Sequence, residues 1–165
     1  MQTSRNVLIE NGILKNYMVD KLNGRRMNMT PTGSARRESY KYAPTSRMTN
    51  TYILNGNSRF EDMIASMDNG IYAKYLGGGS VNPATGEFNF ATQEAYLVKN
   101  GKIGAPIKGA TLIGTGPEIL NRIEMVSNNF DSGEGMCGSV SGSIPAGLGQ
   151  PAIKVSEITV GGKEA

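Results

Sequence analysis

The stretch EFNFATQEAYLVKNGKIGAPIKGATLIG, residues 87–114, predicts two or three consecutive β-strands. Asn100-Gly101 lies between two of its apolar runs. An Asn-Gly pair favours the tight type I′ turn of a β-hairpin, because both central residues of that turn need a positive φ. A second pair, Asn11-Gly12, divides the apolar runs of residues 6–20. Both pairs therefore predict antiparallel strand neighbours.

Two segments are expected to be helical. Residues 58–67 begin with a Ser58-x-x-Glu61 capping box, in which each side chain satisfies a free amide of the first turn. Asn69-Gly70 is expected to end this helix. The second helix is expected over PEILNRIEMV, because Pro117 suits a first helical position. The apolar residues at helical spacing are Phe60, Met63, Ile64 and Met67 in the first helix, and Ile119, Leu120, Ile123 and Val126 in the second.

Glycine supplies 22 of the 165 residues, which favours many tight turns and many short strands. The glycine-rich segment at residues 77–86 is expected to be a mobile or substrate-contacting loop. One helical turn is expected near residues 23–28. With about seven to nine strands and two or three helices, the sequence predicts an α+β fold, mainly antiparallel β and shaped as a barrel or sandwich, in a single domain over residues 1–165. Further strands are expected in residues 47–56, 71–76 and 151–161.

The charge and hydropathy patterns exclude several classes of protein. The net charge of +3 is uneven, because the first fifty residues hold nine Lys or Arg against three Asp or Glu. A nucleic-acid binder would show a denser basic stripe, so nucleic acid is not an expected partner and a solvated or peptide-binding basic face is favoured. No segment approaches the roughly 20 apolar residues of a membrane span, and no signal-peptide core is found near the start. The expected location is the cytoplasm, without membrane attachment.

Two glycine motifs fall short of nucleotide-binding loops. Gly114-x-Gly116 follows a predicted strand and precedes a predicted helix, but the third glycine of a dinucleotide motif would fall on Ile119. The run at residues 77–80 lacks the Gly-Lys-Ser/Thr ending of a phosphate loop. An ordinary turn is therefore predicted at the first motif.

Cys137 is the only cysteine, and it lies in GEGMCGSVSGSIPAGLGQP, residues 133–151, which has no regular hydrophobic period. The commonest role of such a residue is that of a small buried apolar side chain. A nucleophile would need an activating base, and the chain contains no histidine. A zinc site needs three or four ligands, which one thiol does not supply. Burial is favoured on residues alone, with the other two interpretations left open.

The segment ARRESYKYAP, residues 35–44, places two arginines beside two tyrosines. Guanidinium groups bind carboxylates bidentately, so a peptide terminus or an acidic side chain is one candidate ligand. Stacking of Arg on Tyr within the same domain explains the pattern equally well.

Four stretches together resemble the C-terminal half of the TldD/PmbA family, whose members are often labelled modulators of DNA gyrase. They are PTGSARRESYKYAPTSRMTNTYI, MDNGIYAKYLGGGSVNPATGEFNFATQEAYLVKNGKI, KGATLIGTGPEILNRI and MCGSVSGSIPAGLGQPAIKVSEITVGG. The resemblance runs from about Val7 to Gly162 and includes glycines, prolines and polar residues as well as apolar ones.

The resemblance implies one part of a two-part metallopeptidase that cleaves short unstructured peptides. In the family, an upstream helical HExxxH motif supplies two His ligands and a Glu general base. A downstream Cys is the third ligand, and it matches Cys137. The PmbA (TldE) type of partner subunit lacks the metal residues, so Cys137 implies the TldD type, with zinc and a PmbA/TldE-type partner. A weaker carry-over assigns peptide binding to Arg36, Arg37, Tyr40, Gly78 and Gly79.

The chain departs from the family pattern because it has no histidine and therefore no HExxxH motif. We expect a piece of a longer protein, with the HExxxH-bearing domain absent and no catalytic residue in this chain. Alone, it is expected to hold no stoichiometric zinc and to show no peptidase activity. The alternative is a non-catalytic binding or regulatory domain of the gyrase-modulator type.

Overall fold

The computed structural model describes residues 2–162, and within them the chain forms three helices and fourteen strands. Nine of these strands have three or more residues, at the upper end of the predicted number. The fold is α+β and mainly antiparallel, as predicted, but the described strands form no closed barrel. The helices are α1 (Lys21–Met27), α2 (Phe60–Ala65) and α3 (Gly116–Asn121). The strands are β1 (Ile9–Glu10), β2 (Ile13–Leu14), β3 (Ala35–Arg36), β4 (Thr45–Ser46), β5 (Thr51–Tyr52), β6 (Asn69–Val81), β7 (Glu87–Lys99), β8 (Lys102–Ile107), β9 (Thr111–Thr115), β10 (Ile123–Val126), β11 (Asp131–Ser139), β12 (Gly142–Gln150), β13 (Ile153–Val155) and β14 (Thr159–Gly161).

The chain folds into two compact units. Unit 1 contains the residues up to Leu54 together with Asp131–Gln150, and unit 2 contains Asn55–Phe130 and the residues from Pro151 onward. The assignment of the whole chain to one domain stays a prediction. No helix among the described residues has the length and apolarity needed to cross a membrane.

Unit 1 is organised by the antiparallel hairpin of β11 and β12, to which β5 adds in parallel. The glycine-rich segment with no hydrophobic period therefore forms two regular nine-residue strands. Its small residues alternate between more and less exposed positions, which a pattern of large apolar residues cannot reveal. Gly142, the first residue of β12, ends the turn between the strands with a φ of 87°, a left-handed conformation that glycine adopts without strain.

Unit 2 is organised by the long strand β7. It pairs with β6 along one edge, and with β9 and then β8 along the other, in a sheet that β14 extends beyond β9. The most enclosed side chains include Met63 of α2 and Ala95 and Val98 of β7, which are 1–3% exposed. The core of this unit therefore lies where α2 and β7 bury their apolar residues.

Both predicted hairpin turns are confirmed. Asn11 and Gly12 have φ values of 51° and 76°, and Asn100 and Gly101 have 49° and 71°. The second turn also contacts the segment that follows α2, because Asn100 and Gly101 donate their amides to the carbonyls of Asp68 and Met67. A local turn preference and a tertiary contact thus specify the same conformation.

The predicted capping box of the first helix is wrong. The N-cap of α2 is Arg59, with no side-chain cap, because Ser58 forms a parallel bridge with Ser127 and donates its amide to Val126. The predicted stop at Asn69-Gly70 is also wrong, because these residues begin β6.

The second helix and the glycine-rich loop also differ from expectation. Pro117 lies in the first turn of α3 as predicted, but the helix ends at Asn121 and residues 123–126 form β10, which pairs with β13. Residues 77–81 belong to β6 rather than to a loop, with shifts of register against β7 between Ala73 and Gly79. In both places strand pairing overrides the local pattern. The expected turn near residues 23–28 is the longer α1, which Asp20 caps through the amide of Asn23.

A polar network lies on the β6–β7 pair of unit 2. Lys74 donates to Glu94 Oε1 at 2.8 Å, and the Tyr96 hydroxyl donates to the same oxygen at 2.6 Å. The bond from Lys74, followed by that from Tyr96, lowers the pKa of Glu94 below its ordinary 4.5. The bond to Glu94 raises the pKa of Tyr96 above its ordinary 10.0.

Glu94→Gln is expected to lower the free energy of unfolding near neutral pH, and the difference from the unsubstituted chain should vanish in acid. A carboxylate with a lowered pKa stabilises the fold above its ordinary 4.5, and this is lost as the pH falls through the lowered value. The effect is small, since the Glu94 and Lys74 side chains are 33% and 41% exposed. Urea unfolding at about pH 7 and about pH 3 measures it, with Glu134→Gln, an exposed carboxylate of β11, as control. An equal difference at both pH values would contradict the assignment.

Candidate metal-ligand site

Cys137 lies in β11, directly opposite Ile144 of β12. Strand alternation places it on the same face as Gly135 and Ser139, while Met136, 65% exposed, lies on the other face. The cysteine is intermediate in exposure, so it is less enclosed than the composition alone favoured. The residues that flank the thiol on its own face, Gly135 and Ser139, are both small.

Two arginines of the β3–β4 hairpin contact this part of β11. Arg36 pairs with Thr45, and the amide of Arg47 donates to the carbonyl of Ser34 at 3.1 Å. Because opposed residues and residues two apart share a face, Arg36 and Arg47 extend from the same face of the hairpin. The short hairpin thereby directs two guanidinium groups at one segment of β11.

Arg36 holds the backbone of Cys137. Its Nη2 donates to the Cys137 carbonyl at 2.8 Å, and its Nε donates to the Met48 carbonyl at 2.7 Å. The residue is only 7% exposed, and its buried Nη1 has no hydrogen-bond partner among the described residues. Arg36 therefore joins β11 to the chain that follows β4.

Arg47 contacts the thiol itself. Its Nη2 donates to Cys137 Sγ at 3.4 Å and to the carbonyl of Gly138 at 3.0 Å, while its Nε is buried without a partner in the described part of the chain. Neither Arg47 nor Arg36 forms an ion pair with any described carboxylate. The two guanidinium groups are thus directed at sulfur and backbone oxygen rather than at acidic residues.

Glu38 forms hydrogen bonds with the turn of the β11–β12 hairpin. Its Oε2 accepts from the Ser143 amide at 2.7 Å, and its own amide donates to the Ser141 carbonyl at 2.8 Å. The hydroxyls of Ser139 and Ser141 are also hydrogen-bonded, at 2.7 Å. The end of the hairpin is therefore held by the side chains of Glu38, Ser139 and Ser141.

Sequence reasoning missed Arg47 and Glu38. Their contacts with β11 and β12 span 90 and 105 residues of chain, so no local pattern marks them. Arg47 follows Pro44-Thr45-Ser46 and looks like an ordinary surface cation in the sequence. Only the pairing of β3 with β4 places it on the face of Arg36.

The residues predicted to bind peptide occupy different environments. Arg36 donates its described hydrogen bonds to backbone carbonyls. Arg37, by contrast, is exposed, and Tyr40 is 81% exposed. In unit 2, Gly78 has open space where a side chain would be, and Gly79 lies against Asn89 and Phe90. The structure brings Arg36 together with Cys137, and the peptide-binding role of all five residues stays a prediction.

Comparison with known sequences identifies the family. A model of the PmbA/TldA metallopeptidase C-terminal domain matches residues 1–162. This chain belongs to the PmbA/TldD metallopeptidase family. A Haemophilus influenzae protein named metalloprotease TldD homolog is 55% identical over 95% of the chain and 33% of its own length. A Saccharolobus solfataricus protein named zinc metalloprotease TldD homolog is 36% identical over 94% of the chain and 35% of its own length.

Solved structures show the same fold as this PmbA/TldD chain. A putative modulator of a DNA gyrase from Thermotoga maritima superposes with a TM-score of 0.77 at 23% identity, covering 98% of this chain and 34% of that one. TldE from Thermococcus kodakarensis superposes with a TM-score of 0.74 at 25% identity, covering 97% and 34%. The chain thus spans about a third of the length of the relatives and structures that it matches.

A metallopeptidase of the PmbA/TldD family implies a metal ion, and the donors of this chain fit one position of a metal site. Cys137 supplies a sulfur donor at a partly exposed place with a fixed backbone. Within residues 2–162, no group of three or more His, Cys, Asp or Glu could hold a metal ion. Because a catalytic zinc needs about three protein ligands, the remaining ones would have to come from outside residues 2–162.

Proposed function

We propose that this chain is the C-terminal part of a TldD-type zinc metallopeptidase, and that it supplies the Cys137 thiolate as one ligand of the zinc. The observation that carries the proposal is that two arginines hold Cys137 in place. Its carbonyl is bound by a buried arginine and its sulfur by a second one, at a position that is still partly exposed. A cysteine that only packs would not need two guanidinium groups directed at it.

The family membership supports the choice of metal and reaction. Relatives are named TldD homologues and metalloproteases, and the name of the Saccharolobus solfataricus relative includes zinc. Thiolate sulfur and imidazole nitrogen are ligands that zinc accepts in catalytic sites. The two imidazoles and the general base of the proposed site come from the part of the protein that lies outside this chain.

A zinc ion held in part by Cys137 would supply a bound water of lowered pKa and a Lewis acid for the peptide carbonyl. The residues of this chain bind and orient the Cys137 ligand. Arg36 fixes the main chain of Cys137, and Arg47 fixes its sulfur. Gly135, two residues before Cys137 on the same face of β11, leaves no side-chain bulk beside the thiol, which favours the approach of metal and peptide to the strand.

Substrate and partner belong to the same proposal. The substrates are short unstructured peptides cut in the cytoplasm, and the partner is a PmbA/TldE-type subunit, in keeping with the structural likeness to TldE from Thermococcus kodakarensis. The contribution of this chain to the peptide cleft is assigned to the exposed pair Arg37 and Tyr40 of unit 1.

Protection of Cys137 from alkylation tests the proposed ligand without relying on activity. In the full-length protein, zinc should strongly suppress labelling of Cys137 by iodoacetamide, because a metal-bound thiolate is no longer a free nucleophile. Removal of zinc with a chelator should restore labelling, and mass spectrometry of the peptide containing Cys137 measures both. Magnesium in place of zinc is the control, because it prefers oxygen ligands. Equal labelling with and without zinc would reject the ligand role and favour a non-catalytic domain.

A further inference from the structure

We infer that Arg47 is a positioning residue for the Cys137 ligand, with Arg36 anchoring the backbone behind it. The inference rests on the proposed function, since positioning matters only if Cys137 binds a metal. It assigns to two arginines of the β3–β4 hairpin a role in zinc affinity rather than in peptide binding.

The geometry of Arg47 fits this role. One nitrogen, Nη2, donates to Cys137 Sγ at 3.4 Å and to the Gly138 carbonyl at 3.0 Å. The two contacts join the side chain of one residue to the backbone of the next, so rotation of the thiol away from its position breaks a hydrogen bond. A planar guanidinium holds such a geometry with less loss of freedom than a flexible ammonium.

Arg36 restricts the motion of the backbone that carries the ligand. Its bonds to the carbonyls of Cys137 and Met48, at 2.8 and 2.7 Å, fix the strand that carries the thiol. Because Arg36 is only 7% exposed, water cannot readily replace these bonds. Backbone and side chain of Cys137 are thus held by two different residues of one hairpin.

The unused donors argue against a purely structural pair. Arg36 Nη1 and Arg47 Nε are buried and have no partner among residues 2–162, although buried donors are nearly always satisfied. Neither guanidinium forms an ion pair with a described carboxylate. Arg47, which leaves a buried donor unsatisfied while contacting the thiol, is oriented by Cys137 and the Gly138 carbonyl rather than by an ion-pair network.

The chemistry of metal sites explains how a hydrogen bond from Arg47 would affect metal binding. Groups that hydrogen-bond a metal ligand orient it, and loss of such a group lowers metal affinity roughly 10–100-fold. A donor to sulfur also withdraws electron density from the thiolate, which changes the light absorption of a bound cobalt ion. Arg47 should therefore influence both affinity and spectrum.

The test uses the full-length protein with Arg47→Met, Arg47→Lys and the control Arg26→Met, which removes the same charge from an exposed position in the last turn of α1. Zinc affinity is measured by competition with a chelator, and the thiolate-to-cobalt absorption is recorded after cobalt loading. Arg47→Met is expected to weaken zinc binding roughly 10–100-fold and to shift the cobalt absorption. Arg47→Lys should recover part of the loss, because an ammonium still donates to sulfur, and Arg26→Met should resemble the unsubstituted protein.

The inference is overturned if Arg47→Met binds zinc as tightly as Arg26→Met does. If Arg47→Met does not fold, Arg47→Lys decides: weaker zinc binding at an unchanged melting temperature supports positioning, and unchanged binding overturns it. Failure of the proposed function looks different, because Cys137 would then stay open to alkylation in the presence of zinc in every variant. A normal zinc effect on Cys137 combined with no effect of Arg47→Met rejects the inference alone.

Discussion

Replacing Cys137 with serine in the full-length protein is expected to lower zinc affinity by more than about 100-fold and to abolish peptide cleavage at limiting zinc. Loss of an outer group that merely orients a ligand already lowers affinity roughly 10–100-fold, so loss of the ligand itself should exceed that range. The serine hydroxyl stays protonated near neutral pH, whereas the thiolate is the form of cysteine that binds metal. Metal analysis after dialysis and cleavage of a short unstructured peptide measure the two effects.

Serine is the most informative replacement because it preserves the local contacts. A hydroxyl at position 137 can still accept from Arg47, and the carbonyl bound by Arg36 is unchanged. The melting temperature should therefore stay close to that of the unsubstituted protein, which separates loss of metal from loss of fold. Met136→Leu, on the exposed face of the same strand, is the matched control and should keep zinc and cleavage. Full zinc content in Cys137→Ser would mean that Cys137 only packs.

The parts of the fold that sequence predicted correctly are those specified by neighbouring residues. Asn11-Gly12 and Asn100-Gly101 adopt the positive φ values that a two-residue hairpin turn requires, and this requirement is local. Pro117 likewise marks the first turn of α3 by its own geometry. Such features depend on a few consecutive residues, so a single sequence reveals them.

The errors occur where a distant strand competes with a local preference. Residues 123–126 have helical spacing but form β10, because β13 offers them a partner about thirty residues later. Ser58 has the sequence of a helix cap but pairs with Ser127. The register of these pairings is set by the whole of unit 2, and no window of sequence contains it.

The candidate site was predictable only in part, for the same reason. Cys137 became a ligand candidate through the family resemblance, since a lone thiol among glycines carries no metal pattern by itself. The sequence marks Arg36 as a candidate for peptide binding, and its bond to the Cys137 carbonyl has no sequence signal. Nothing in the sequence marks Arg47, because its relation to Cys137 exists only when β3, β4 and β11 are in place.

Gly56→Ala is expected to be strongly destabilising, lowering the free energy of unfolding by about 3 kcal/mol. A Cβ at position 56 would overlap the carbonyl oxygen of Val126 and lie 2.8 Å from its carbonyl carbon. These are backbone atoms at the end of β10, so relief requires the two chain segments to separate. The separation would weaken the bonds from the Gly56 amide to Ser127 at 2.9 Å and from the Ser58 amide to Val126 at 3.2 Å.

Gly78→Ala is the matched control for this steric argument. Gly78 lies in β6 of the same unit, and a Cβ there would meet nothing within 4 Å. Since alanine restricts the unfolded chain more than glycine does, Gly78→Ala should leave the stability unchanged or raise it by up to about 1 kcal/mol. Urea unfolding of both variants measures the difference in their free energies of unfolding. Equal losses of stability would contradict the proposed clash between a Cβ at position 56 and Val126. Because the clash involves backbone rather than a movable side chain, Gly56→Ser should be at least as destabilising as Gly56→Ala.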